Sequence, residues 1–507
     1  MNHPLPLPMN RSRLQPACVR LLLAIFVVHL LAASVSAQST LPDTTAPRDE
    51  LLAQRPATLK RPPPELSAPA AKTASRSASA GRSASDRTAQ AEVLPPATRA
   101  VPAAPSGPTI ILPGMPEQGY VMDDPDGYGA LDGYPAYDYD YGLAGPAGGR
   151  FWVRGEYLLW WVEGMRAPPL VTTSTAGTPQ ADAGILGLPS TSILFADRRL
   201  LEQYRHGVRL TAGGWFGDAH AFGAEASAFW LMTDHDDFSA NSGDFPILAR
   251  PFFNVEPGFE GPDAEIIAYP GLFVGQIDVA SDTSLFGGDV LLRACLCQDC
   301  YCRVDGLLGA RYARLEDTLQ ISDNRTVIGA GAGVAIGTTF RELDLFETRN
   351  EFIGGELGFS SQMKFRRFWL EGVLKLALGV NRSRVQISGQ STATIPVPGG
   401  APIVVNTPAG LLAQQTNIGV YKDDSFSVIP EVGLTVGFEI TPRLRATAGY
   451  TFFYWTDVLR AGDQIDTNLN LSQLAPGGLV GIPRPQFTGV TDDLWVQGLS
   501  LGLDFRF

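Results

Sequence analysis

The chain has 507 residues, 39 Lys and Arg against 52 Asp and Glu, and a formal net charge of −13. That acidic balance excludes the broad basic surface a nucleic-acid binder needs. No apolar run reaches the roughly 18–20 residues of a membrane-spanning helix, and the length has room for two or three domains.

The chain opens with Arg11, Arg13 and Arg20, the apolar run Leu21 to Ala33, and the small residues Val35-Ser36-Ala37. A basic flank, a short greasy stretch and small residues define a cleaved secretory signal peptide, expected over 1–37. Arg11-Ser12-Arg13 is not a contiguous twin-arginine pair. Cys18 precedes the apolar run, so it is no lipoprotein acylation site.

Residues 38–150 read as a periplasmic linker. Up to about Thr109 the segment is rich in Pro, Ala and Ser and poor in aromatics. Such a composition cannot bury enough surface to offset its ordering entropy, so a disordered tether is expected. Its basic residues carry the charge to touch an anionic cell-wall polymer. Residues 120–142 are dominated by Tyr, Asp and Gly. Asp123, Asp124 and Asp126 lack the ligand spacing of a calcium loop, and the segment reads as flexible spacer. No cofactor or metal is expected.

From Phe151 the pattern becomes alternation of apolar and polar residues, which in a strand sends them to opposite faces. Strands are expected at about 151–162, 206–216, 222–232, 283–294, 301–315, 350–359, 365–380, 426–440, 444–455 and 495–507. Short connections (217–221, the cysteine turn, 360–364 and 441–443) alternate strictly with five long ones of about 35–50 residues. Tight periplasmic turns and long external loops are the asymmetry of transmembrane barrels. The expected fold is all-β, a transmembrane antiparallel up-and-down β-barrel of about 10 strands, with 12 as the alternative, spanning 151–507.

Aromatic residues mark the two rims. Phe151, Trp152, Trp215, Phe216, Phe222, Phe505 and Phe507 fall at expected periplasmic ends. Trp160, Trp161, Phe229, Trp230, Tyr454, Trp455 and Trp495 fall at expected external ends, as in interfacial girdles.

The polar faces place Arg154, Arg209, Arg293, Arg303, Arg311, Lys375, Arg445 and Arg506 in the lumen. They place Glu156, Glu225, Asp289, Asp305, Glu356, Glu371, Glu431, Glu439 and Asp504 there too. Barrels near eight strands are just filled by side chains, whereas porins of 16–18 leave an aqueous channel. Opposed charges in so narrow a lumen should pair, leaving it largely plugged or at most crossed by a narrow water path.

Cys295, Cys297, Cys300 and Cys302 crowd the turn between strands four and five. In an oxidising compartment they point to disulfides, with a structural metal or free thiols as alternatives. Bridges 295–302 and 297–300 would pair odd with even positions, so they need a bulge or another connectivity. The run Asp234-His235-Asp236-Asp237 lies at the external mouth. It resembles the Asp and His groups of omptin proteases, but no second His–Asp cluster appears in the other long loops. An acidic, solvated or cation-binding loop is the reading, and the chain is not expected to be an enzyme.

The final strand, Trp495 to Phe507, stops on an aromatic residue. That ending, with Phe505 and Phe507, resembles the signal by which the barrel assembly machinery recognises its clients. The opening Phe151-Trp152-Val153-Arg154-Gly155-Glu156-Tyr157-Leu158-Leu159-Trp160-Trp161 is followed by Leu186-Gly187 and Ser192-Ile193-Leu194-Phe195. Arg209-Leu210-Thr211-Ala212-Gly213-Gly214-Trp215 and Gly223-Ala224-Glu225 continue the series. On these residues the last 350 or so positions resemble the β-barrel porin family numbered seven. The resemblance implies placement in outer-membrane lipid and a porin role, but no substrate. Porin-like passage of small solutes is one expectation. A plugged barrel displaying long loops as a surface structural or binding protein is the other.

Overall fold

The computed structural model describes residues 149–298, 302–474 and 478–507. The signal peptide, nearly all of the linker and Cys300 lie outside the described residues.

Alternation produces ten long antiparallel strands. They are β1 (Phe151–Val162), β2 (Tyr204–Phe216), β3 (Phe222–Leu231), β4 (Phe273–Gln298) and β5 (Cys302–Val327). β6 (Thr339–Phe365), β7 (Phe368–Ile395), β8 (Gly419–Glu439), β9 (Leu444–Leu459) and β10 (Thr491–Arg506) complete them. Each pairs with the next in sequence, and β10 returns to pair with β1. Val153 faces Phe505 and Tyr157 faces Leu501 across that seam. The ring is therefore a closed up-and-down barrel of ten strands, with no open edge between β1 and β10.

The outer face is greasy across a limited band. On β10, Leu499, Leu501, Leu503 and Phe505 are 46–60% exposed, while Ser500 and Asp504 between them are buried inward. Tyr312, Ile353, Val380 and Phe426 form one outward row along β5 to β8. The next outward row is Arg314, Glu351, Arg382 and Asp424, and the one beyond is Glu316, Arg349, Arg384 and Lys422. The apolar band ends between Tyr312 and Arg314, which sets the outer lipid boundary.

β4 to β7 run 26, 26, 27 and 28 residues, far past that boundary and past the ends expected from sequence. The connection between β5 and β6 shrinks to residues 328–338 instead of a long loop. The reason is an inversion of polarity. Above the band Ile277, Val279, Leu319, Ile321, Phe346, Val385 and Ile387 are buried inward. Outward positions there carry Asp282, Glu316, Gln320, Glu347 and Arg384. A strand whose outer face is hydrophilic carries no lipid-facing signature, and its sequence reads as loop.

The remaining external segments fold onto that apolar inner surface. Strands at 261–268, 248–254, 171–174 and 191–195 make a small sheet. Residues 468–469 join it in parallel. Leu248, Phe252, Ile267, Leu411, Leu412, Ile465 and Leu469 pack with the inner faces of β4 to β7 in one apolar core. Each Å² of apolar surface these side chains remove from water favours the docked cap by about 25 cal/mol.

Two further differences concern the turns and the rims. β6 and β7 are joined by Arg366-Arg367, not by 360–364, with Arg366 in the left-handed region at φ 57°. Trp160, Phe229 and Trp455 do not belong to the outer girdle. They are buried and point into the lumen, on the face that carries Arg154 and Glu156. Trp152 also points inward. At the cysteine turn, Cys295 opposes Asp305 while Cys297 opposes Val304, so a bulge sits at Leu296. Cys295 carries a free thiol near Gln298 Oε1, at 3.9 Å, so the 295–302 bridge is not formed.

Candidate functional site

The inward faces stack three layers along the barrel axis. The layer at the end that carries the short turns is ionic because the inward parity of β1 to β10 places a charged residue on nearly every strand. Arg154 Nη2 lies 3.0 Å from Glu371 and 3.6 Å from Asp504. Arg506 reaches Asp504 at 3.4 Å, and Arg445 pairs with Glu439 at 2.6 Å. Arg293 bridges Glu225 at 2.7 Å and Asp305 at 3.2 Å, and Arg303 adds a 2.8 Å contact to Asp305.

Deeper in, Arg209 holds Glu156 with two hydrogen bonds of 2.6 and 3.0 Å, the fork geometry suited to a carboxylate. Arg311 reaches Glu356 at 3.0 Å and Glu431 at 2.5 Å. Lys375 meets Asp289 at 2.8 Å, Glu431 at 3.0 Å and Glu356 at 3.8 Å. Each of the seventeen charged residues read from parity as luminal has an opposite charge within 4 Å.

Above the ions lies an apolar layer that sequence reasoning did not foresee. Trp160, Phe229, Phe352, Phe453 and Trp455 pack with Leu158, Leu285, Leu315 and Ile429. Phe229 on β3 and Phe453 on β9 are four strands apart around a ten-strand ring, yet their ring centroids are 5.9 Å apart. Trp160 touches both, at 5.1 and 6.0 Å. Rings from near-opposite walls therefore meet across the lumen. Their parity with Arg154 and Glu156 was the available signal.

The third layer is the cap, pinned by buried ion pairs that were also missed. Arg460 Nε lies 2.6 Å from Asp317 with both side chains fully buried. Arg250, carried inward by the 248–254 strand, pairs with Asp323 at 3.0 Å and with Asp344. Asp344 also accepts hydrogen bonds from the Leu412 and Ala413 amides at 3.1 and 2.7 Å. Arg325 bonds Glu265 at 2.5 Å and Glu342 at 3.0 Å. Burial pushes Asp323 up to about 6 against the pull of Arg250 and Arg325. Burial and the neighbouring Glu265 hold Glu342 well above the usual carboxylate range. Carboxylate oxygens of Glu265, Asp323 and Glu342 lie within 4.8 Å of one another. Arg250 and Arg325 already serve as their counterions.

The external Asp–His run forms a strand, Asp234–Asn241, paired with β4. His235 pairs with Asp282, Asp234 lies 3.6 Å from Arg205, and Asp236 lies 3.5 Å from Arg198.

A closed antiparallel barrel with a greasy outer band and an ionic interior is an outer-membrane barrel protein. The sequence model of the family described as "Putative beta barrel porin-7 (BBP7)" matches residues 152–507. The chain belongs to this family. No curated protein matches it. Among solved structures it is similar to the outer membrane protease OmpT from Escherichia coli, at 10% identity and a TM-score of 0.30, covering 70% of this chain and 97% of that one. It is also similar to a Pseudomonas aeruginosa FadL homologue, at 9% identity and a TM-score of 0.19, covering 70% and 90%. At these values neither likeness bears on activity.

Proposed function

We propose that this protein is a closed outer-membrane barrel that displays an ordered β-cap on the cell surface, acting as a structural or binding protein there. One observation carries the reading: the aromatic layer in which Phe229 and Phe453 meet across the lumen. Solute passage would have to displace packed rings and then traverse paired charges. Removing one partner of a buried pair costs about 3–5 kcal/mol.

The biogenesis expected from sequence accompanies this reading. A cleaved signal peptide exports the chain, and Phe505 and Phe507 present the assembly machinery with exposed rings on the last strand. The linker tethers the barrel toward anionic cell-wall polymer. Porin-like passage of small solutes is the competing reading, and the family's description favours it.

Liposome swelling separates the two. Vesicles holding the purified protein should swell in small sugars no faster than protein-free vesicles. Swelling that scales with the amount of protein would favour the porin reading.

A further inference from the structure

Below the aromatic layer the lumen opens toward the end that carries the short turns, as a cavity of 340 Å³. Three of its wall residues are tryptophans, and each lies over a glycine directly across the adjacent strand. Trp152 faces Gly213, Trp215 faces Gly223, and Trp369 faces Gly437. A Cβ on Gly213 would come within 2.2 Å of the Trp152 ring, and one on Gly437 within 2.0 Å of Trp369 Nε1. Any larger residue at either glycine would push its indole out of place. The glycines let the indoles lie flat against the wall, the cross-strand arrangement by which an aromatic covers a glycine.

Guanidiniums stack on these rings from the cavity's other walls. Arg303 lies 4.0 Å above Trp215, Arg154 5.3 Å above Trp369, and Arg293 5.6 Å from Trp215. Several buried donors on wall residues have no hydrogen-bond partner among the described residues. They are the Nε atoms of Arg154, Arg293, Arg445 and Arg506 and the Trp369 indole N–H. Arg293 and Trp369 are 5% and 4% exposed, so these are not solvated surface groups. Buried donors of this kind cost free energy until an acceptor meets them.

The charges are graded along the axis. In the mouth layer the network's own arginines and carboxylates balance. Lys364 and Arg367, beside the β6–β7 turn and also lining the cavity, tip it positive. The next layer reverses the sign: Glu156, Asp289, Glu356 and Glu431 outnumber Arg209, Arg311 and Lys375. An anion is drawn into the mouth and repelled from going deeper.

The geometry points to a binding site in this vestibule for a compact oxyanion, a solute bearing carboxylate or phosphate, entering from the periplasm. The cations that line the cavity, Lys364 and Arg367 at its mouth above all, receive its oxygens, the tryptophans wall it laterally, and the negative layer above stops it. This inference goes beyond the closed-barrel reading, because the cavity exists whether or not the aromatic layer opens.

Titration calorimetry of the full-length protein in detergent at low salt tests it, with citrate and inorganic phosphate as probes and glucose as the neutral control. Saturable heat is expected for citrate or phosphate and none for glucose, with affinity falling as salt is raised. The double variant Lys364→Gln/Arg367→Gln removes two cations at the end of β6 and in the β6–β7 turn. Glu439, which Lys364 meets at 3.4 Å, keeps Arg445 at 2.6 Å, so the variant should fold with unchanged gel mobility and bind about tenfold more weakly. Absence of saturable heat with both anions would overturn the site, as would undiminished binding by the double variant. Liposome swelling would be untouched by either result, so failure here and failure of the closed-barrel reading are distinguishable.

Discussion

Lys375 Nζ on β7 lies 2.8 Å from Asp289 Oδ2 on β4, although β5 and β6 stand between those strands in the ring. The contact spans the lumen. It draws in Glu431 at 3.0 Å, so a single ammonium ties three strands together. Lys375→Met leaves Asp289 buried without its cation, while Glu431 keeps Arg311 at 2.5 Å. It should destabilise the barrel by about 3–5 kcal/mol. Adding Asp289→Asn should recover a large part of that loss, because the charge that was stranded is gone. Urea unfolding in detergent, followed by heat-modifiable gel mobility, measures both. Equal destabilisation of the single and double variants would mean that the Lys375–Asp289 pair is incidental.

The position of the lipid boundary is equally open to test. Val290 faces outward, 62% exposed, within the apolar band. Val290→Arg should cost about 2–4 kcal/mol, the penalty for a cation near the bilayer midplane. Thr318 faces outward beyond Arg314 and Glu316, where the outer surface meets water. Thr318→Arg should change stability by less than about 0.5 kcal/mol. Unfolding of both variants in lipid vesicles checks this, and equal costs would place the membrane elsewhere on the barrel.

The cap should loosen as pH rises. Burial pushes Asp323 up to about 6, and burial together with Asp492 does the same for Asp463. A carboxyl whose folded value exceeds its unfolded one near 3.8 holds its proton more tightly when folded. The folded cap is therefore favoured most below about pH 4, and this contribution fades as pH climbs through about 6. Amide exchange over 248–254, the strand that carries Arg250, should be slower at pH 5 than at pH 7.5 after correction for intrinsic rates. Faster corrected exchange at pH 5 would contradict the burial of these acids.

How much of this was legible in the sequence depended on which face met lipid. Within the band, outward Leu499, Leu501, Leu503 and Phe505 alternate with inward Ser500 and Asp504, and that pattern located all ten strands. Above the band, inward Val279 and Ile321 alternate with outward Asp278 and Ser322. The period is the same, but the polar face is the wet one, and nothing local says that the greasy face meets a cap. Trp160 and Trp455 were placed at the rim because aromatics gather there. Parity with Glu156 puts Trp160 inside, and that signal outranks position along the strand. Arg250 and Arg460 were invisible for another reason. Each sits in an external segment, and its partner, Asp344 or Asp317, is distant in sequence.

Single-channel recording in planar bilayers tests the central claim, that the aromatic layer closes the lumen. The native protein should give no unitary current steps at any holding voltage. The variant Phe229→Ala/Phe453→Ala removes the two rings that meet across the lumen, and should give small ion currents. Reproducible steps from the native protein, of the same size as the variant's, would contradict the account.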